Sequence, residues 1–155
     1  MRSHIDCGGV AMSAHDEIRK ASEDFYAGLN RMGNGQAGAL SGCWSHAAGV
    51  TALHPIGGRQ VGWDAVKASF DGVAQLASDA KIALEDQLIQ VAGDMAYEVG
   101  VERGRFKMAG HPVSLEHRVT NIYRREADGW KLVHHHTDLS PAMLEVLGRL
   151  PPAPA

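Results

Sequence analysis

"VSLEHRVTNIYRREADGWKLVHHHTD", residues 113–138, is two runs in which apolar side chains return at every second position, joined by "EADG". A period of two marks an extended strand whose successive side chains face opposite ways, and a short polar link with Asp-Gly between two such runs is a hairpin signal. In the first run Val113, Leu115, His117, Val119, Asn121 and Tyr123 share one face, and only His117 and Asn121 break its apolar character. Strict alternation in the second run puts Trp130, Leu132, His134 and His136 on one face and Lys131, Val133, His135 and Thr137 on the other. The histidine triplet is therefore read as two inward side chains, with His135 turned towards an interface or solvent.

The same period extends upstream through "KIALEDQLIQVA" (81–92) and "MAYEVGVERGRFKM" (95–108), separated by "GD" and followed by "AGHP". Four antiparallel strands in meander order result. Before them the period is that of helices. Ser13 with Asp16 resembles a capping box, and Ile18, Ala21, Phe25, Leu29 and Met32 recur at three- and four-residue spacing. "QAGALSGCWSH" (36–46) predicts a short, weak helix, "GVTALHP" (49–55) a strand, and "GG" at 57–58 a turn. "VGWDAVKASFDGVAQLA" (61–77) predicts a second long helix with Trp63, Val66, Phe70 and Val73 on one face. After the last strand Ser140 is placed as an N-cap and Pro141 at the first helical position. The chain divides into a leader, 1–13, with Met12 as an alternative start, a domain over 14–140, and a C-terminal helix with a proline-rich tail, 141–155. Helices followed by a run of hairpins argue for an α+β fold, its helices covering one face of a curved antiparallel sheet that encloses a pocket.

A chain of 155 residues, 45% hydrophobic and 21% charged, fits one domain with its own core. A net charge of -3, scattered lysines and arginines and only 6% aromatic residues argue against a nucleic-acid partner. No apolar run approaches the roughly 20 residues needed to cross a bilayer, so no membrane association is expected. Cys7 and Cys43 lack CxxC spacing, which points to thiols in a reducing compartment and a cytoplasmic setting. Strand faces that are apolar apart from His54, His117, Asn121, His134 and His136 have the composition of a pocket for a small apolar or weakly acidic ligand. No cofactor is implied. No metal is expected either, since there is no helical HExxH and no carboxylate on the histidines' strand face.

The order of elements, "HPIGGRQVGW" leading into a helix, and a final hairpin ending "YRREADGWKLVHHHTD" resemble the nuclear-transport-factor-2-like (NTF2-like) family. The nearest branches are the SnoaL-like polyketide-cyclase and ketosteroid-isomerase-like proteins and the association domain of calcium/calmodulin-dependent kinases. The resemblance implies a cone-shaped α+β barrel with a pocket between the long helix and the concave sheet, and a homodimer through the outer sheet face. In the isomerase-like branch a general-base aspartate precedes a proline, and "VTALHP" puts His54 at that position. The branch's tyrosine donor falls on Phe25, with Tyr26 about 100° further round the helix, and its second donor, a protonated aspartic acid, falls on Asn121. Without those two donors steroid isomerisation is not expected. What remains is a set of candidate catalytic residues, His54, Asn121, His134 and His136, inside a candidate ligand wall of Phe25, Tyr26, Trp63, Tyr97, His117 and Tyr123. The family hosts binding modules, enzymes and assembly modules alike. The reading is a small-molecule-binding protein, with a lyase or isomerase using His54 as base as the alternative and a non-catalytic assembly module as the third.

Overall fold

The computed structural model describes residues 11–151, so Cys7, most of the expected leader and most of the proline-rich tail lie outside the described residues. Helix α1 (Ala14–Met32) starts where the Ser13 hydroxyl accepts the Asp16 backbone N–H at 3.1 Å. This satisfies one of the donors that every helix start leaves free. Its buried stripe, Ile18, Ser22, Phe25, Tyr26, Leu29 and Met32, is broad enough to face the sheet and a second helix together.

The weak helix expected over 36–46 does not form; the segment is a series of turns in which Gly38 takes a φ of 70°. Each glycine costs a helix about 1 kcal/mol relative to alanine. Tertiary contacts take over instead, and Trp44, almost fully buried, makes an isolated parallel bridge to Leu132. Strands β1 (Thr51–His54) and β2 (Gly57–Val61) then form a hairpin whose second strand begins inside the expected glycine turn. Helix α2 (Trp63–Ala74) follows and buries Val66, Phe70 and Ala74.

Strands β3 (Ala77–Ala92), β4 (Met95–Met108), β5 (His111–Glu126) and β6 (Gly129–Thr137) form the meander, and α3 (Pro141–Arg149) closes the fold. The six-stranded sheet runs β2-β1-β6-β5-β4-β3, with β1 parallel to β6 and every other pair antiparallel. Two register shifts in β3, where Asp79 and Asp86 have φ of 52° and 55°, bend the sheet around α1. At the first of them the strands approach so closely that a Cβ on Gly104 would lie 2.0 Å from the Lys81 carbonyl oxygen. Among the described residues no helix is long and apolar enough to cross a membrane.

A third shift decides the histidine triplet. Leu132 pairs with Tyr123, but the next pair is His134 with Ile122, so Val133 is an extra residue on β6. A bulge of one residue inverts the parity of everything after it. Leu132 faces inward before it, and His135 and Thr137 face inward after it, both buried, while His136 is exposed. His134, half-buried, turns its Nδ1 to the Thr51 hydroxyl at 2.6 Å. The alternation read from the sequence is thereby corrected: His134 and His136 are not in the pocket, and His135 is.

Candidate functional site

Between the concave sheet and the helices lies a cavity of about 60 Å³. Its apolar wall comes from Leu29 and Met32 on α1, Phe70 and Val73 on α2, Phe106 and Leu115 on the sheet, and Met143 on α3. Four polar side chains interrupt that wall: His54, Glu102, His117 and His135. An apolar chamber with a few converging polar groups is the usual composition of a small-ligand site. An apolar cavity of about 150 Å³ admits benzene, so a ring enters this smaller one as the adaptable Met32 and Met143 side chains repack.

The polar groups are fixed by a network reaching deep into the core. Glu102, buried on β4, accepts the Tyr26 hydroxyl at 3.2 Å and the His117 Nε2–H at 3.1 Å. Asn121 donates its amide to the Tyr26 oxygen at 3.1 Å and to Glu98 Oε1 at 3.0 Å, while its own carbonyl accepts His135 Nδ1–H at 2.6 Å. Glu98, wholly buried, also accepts the Tyr123 hydroxyl at 2.6 Å and Gln87 at 2.8 Å. On the other wall His54 Nε2 lies 2.8 Å from the Ser69 hydroxyl, which donates to the Val66 carbonyl at 2.6 Å. Ser69 has one proton, so His54 must be the donor in that pair. Among the described residues His117 Nδ1, Trp44 Nε1 and Thr137 Oγ1 are buried without a hydrogen-bond partner.

The charge states follow from burial. Burial lowers the His135 pKa to about 4 against the opposing pull of Glu102, so the ring is neutral at pH 7. Burial also lowers His54, again opposed by Glu102. Glu102 is pushed up by burial, but the His117 hydrogen bond, the neighbouring imidazoles and the Tyr26 hydroxyl outweigh that and hold it below the usual carboxylate range. Burial, followed by the nearby Glu102 and Glu98 charges, drives the Tyr26 hydroxyl well above its ordinary value, so it stays a donor. Tyr123 is raised in the same way by burial and Glu98.

The residues singled out from the sequence are dispersed by this geometry. His54 and His117 stand in the cavity wall, with the His54 and His135 rings 6.4 Å apart. Asn121 and Tyr123 lie behind it, as members of the network. Tyr26, which the resemblance turned away from the donor position, holds the central hydroxyl, while Phe25 packs edge-on against His135 at 5.4 Å. Trp63 stacks on His46 at 4.5 Å, outside the cavity. Tyr97 is 45% exposed on the outer sheet face, a further correction. Glu98 and Glu102 were missed because on β4 the apolar Tyr97, Val99 and Val101 suggest the opposite face as the inner one. The usable signal was Phe106 and Met108, which share their parity. Among the described residues no three His, Cys, Asp or Glu side chains group to hold a metal ion.

The family model of the SnoaL-like domain matches residues 18–143. No curated protein matches the chain. Among solved structures, a candidate dehydratase of the NTF2-like family from Streptomyces avermitilis is 26% identical, with a TM-score of 0.72 over 83% of this chain and 96% of its own. The CaMKII hub of S. rosetta is 22% identical, with a TM-score of 0.68 over 84% and 100%. A candidate aromatic ring hydroxylase from Novosphingobium aromaticivorans is 19% identical, with a TM-score of 0.70 over 83% and 92%. The last two likenesses concern the fold alone.

Proposed function

The chain belongs to the SnoaL-like domain family of the NTF2-like superfamily, and from that premise we propose that it binds a compact, mostly apolar small molecule between the helices and the sheet. The observation that carries this reading is the composition of the cavity: apolar walls interrupted only by His54, Glu102, His117 and His135. A buried, ionised carboxylate among apolar side chains is costly to maintain. A site that must orient a polar end of a ligand accounts for it.

A second reading, a lyase or isomerase with His54 as general base, is favoured by one feature. His54 donates its Nε2–H to Ser69, so its Nδ1 is free to take a proton, and burial keeps the ring neutral at pH 7. The likeness to a candidate dehydratase fits that chemistry. One experiment addresses both readings: proton NMR of 3-hydroxycyclopentanone with the protein in heavy water. Binding without exchange, weakened by about 1 kcal/mol in His54→Gln, is the expected result for a binding protein. Deuterium uptake beside the carbonyl, with loss of water to cyclopentenone, both abolished in His54→Gln, is the result for the enzyme. Neither binding nor exchange would sink the two readings together.

We further propose that the outer sheet face pairs with a second copy of the chain. Leu88, Met95 and Tyr97 are 54%, 41% and 45% exposed there, beside the half-buried Ile122. Apolar side chains grouped on one sheet face favour burial against a partner. Sedimentation equilibrium at micromolar concentration should give a dimer that Tyr97→Glu converts to monomer; a wild-type monomer would refute the pairing.

A further inference from the structure

Each hydrogen bond that the cavity's histidines make within the protein uses one of their N–H groups. His54 gives its N–H to Ser69, His117 gives its N–H to Glu102, and His135 gives its N–H to Asn121. The direction of each bond follows from its partner. A carboxylate and an amide oxygen only accept, and the Ser69 proton lies in the 2.6 Å contact with the Val66 carbonyl. The Asn121 amide is oriented by its neighbours, since its NH2 faces Glu98 Oε1 and the Tyr26 oxygen. A neutral imidazole has one N–H, and burial keeps His54 and His135 neutral, so these two rings are left with a bare nitrogen: His54 Nδ1 and His135 Nε2. Glu102 adds a carboxylate. The other lining side chains, among them Leu29, Met32, Phe70, Ile82, Phe106 and Met143, have no proton to donate.

Two further observations point to a polar partner from outside the chain. His135 Nε2 and Glu102 Oε1 lie 3.9 Å apart, both buried, both lone-pair bearers, and too far apart to be hydrogen-bonded to each other. His117 Nδ1 is buried with no partner among the described residues. His135 Nε2 is a buried acceptor without a donor, a standing cost relieved by any group that brings an N–H or O–H to it. A ligand reaching this gap also replaces whatever solvent proton satisfies those lone pairs, and loses affinity unless it donates in turn. A carbonyl would set a third acceptor against two, and a carboxylate would set a second negative charge beside Glu102 in a low-dielectric wall.

Resting on the small-molecule reading given above, we propose that the occupant of this cavity presents a hydrogen-bond donor, a hydroxyl or a protonated amine, to His135 Nε2 and Glu102, and that acceptor-only and anionic ligands are rejected. This revises the ligand expected from the sequence, since a weakly acidic molecule meets a carboxylate and a bare nitrogen at this gap. The burial that keeps His135 neutral supports the assignment, because a protonated ring would offer its own N–H to Glu102.

The test is calorimetric titration of the full chain at pH 7.5 with four probes of one shape: cyclopentanol, cyclopentylamine, cyclopentanone and cyclopentanecarboxylate. Each is run on the wild type and on Met143→Ala, which widens the cavity without touching its polar groups. The alcohol or the amine should bind at least tenfold more tightly than the ketone, and the carboxylate most weakly. An advantage of amine over alcohol identifies charge pairing with Glu102 as the larger effect, whereas equal binding of the two identifies the shared hydrogen bond; both support the proposal. Ketone or carboxylate binding as tightly as the better of the donor probes would overturn it while leaving the small-molecule reading intact. No binding by any probe to either chain would remove both. The comparison among probes is made on the wild type, so it does not depend on any variant folding. If Glu102→Gln is stable, it should bring the ketone to within threefold of the alcohol, because the new amide donates.

Discussion

Replacing Asn121 by leucine is expected to destabilise the protein by about 3–5 kcal/mol, a large part of the total stability of an ordinary domain. The side chains are close in size, so packing changes little. The loss is in hydrogen bonding: His135 Nδ1–H loses its acceptor, and Glu98 and the Tyr26 oxygen each lose a donor. All four residues are buried, so water does not replace what is lost. Guanidinium unfolding should show a lower midpoint with an unchanged slope, and the thermal midpoint should fall by on the order of 10 °C for a chain of this size. A loss below about 1 kcal/mol would mean that the network is not closed around Asn121. His135 also loses its orientation in this variant, so the preference for donor ligands should weaken with the stability.

Acidification should destabilise the protein by about 3 kcal/mol between pH 7 and pH 4 through His135 alone. Its folded pKa of about 4 lies below the unfolded value of 6.5. Above pH 6.5 both states are neutral and the group contributes nothing. As the pH falls below 6.5 the unfolded chain takes up a proton that the native ring refuses, so unfolding gains about 1.4 kcal/mol per pH unit until the native ring also titrates near pH 4. His54 acts in the same direction. Glu102 adds a lower window: its folded pKa is depressed, so its stabilisation is present above the ordinary carboxylate pKa and is lost as the pH drops through the folded value. Unfolding free energies measured every half unit from pH 7.5 to 4, in wild type and in His135→Gln, isolate the contribution of this ring. The two curves should converge by about 3 kcal/mol as the pH falls; parallel curves would show that His135 is not held neutral.

Most of the fold is legible along the chain because hydrophobic period is a local property. The spacing of Ile18, Phe25, Leu29 and Met32 describes α1, and Val113 to Tyr123 describes the inner face of β5 side chain by side chain. The sequence is weakest where a segment's conformation depends on what it touches. Residues 36–46 have enough apolar spacing for a helix, yet their glycines make a helix costly, and Trp44 gains more by docking beside Leu132. Strand β2 is polar and short, and exists because β1 supplies its hydrogen bonds.

The site divides along the same line. That histidines and an asparagine break the apolar faces of strands bordering a cavity is readable along the chain, because alternation assigns each side chain of an unbroken strand to a face. The sequence could not determine which histidines, because one extra residue at Val133 inverts the parity of all that follows, and a bulge depends on how β6 pairs with β5 and β1. Nor could it find Glu98 and Glu102. A carboxylate in a strand is read as solvent-facing until the fold brings Tyr26 from α1 and Asn121, Tyr123 and His117 from β5 close enough to donate to it. Residues 76 and 95 positions apart in the chain meet at the Tyr26 hydroxyl, and only the packing of α1 on the curved sheet brings them together.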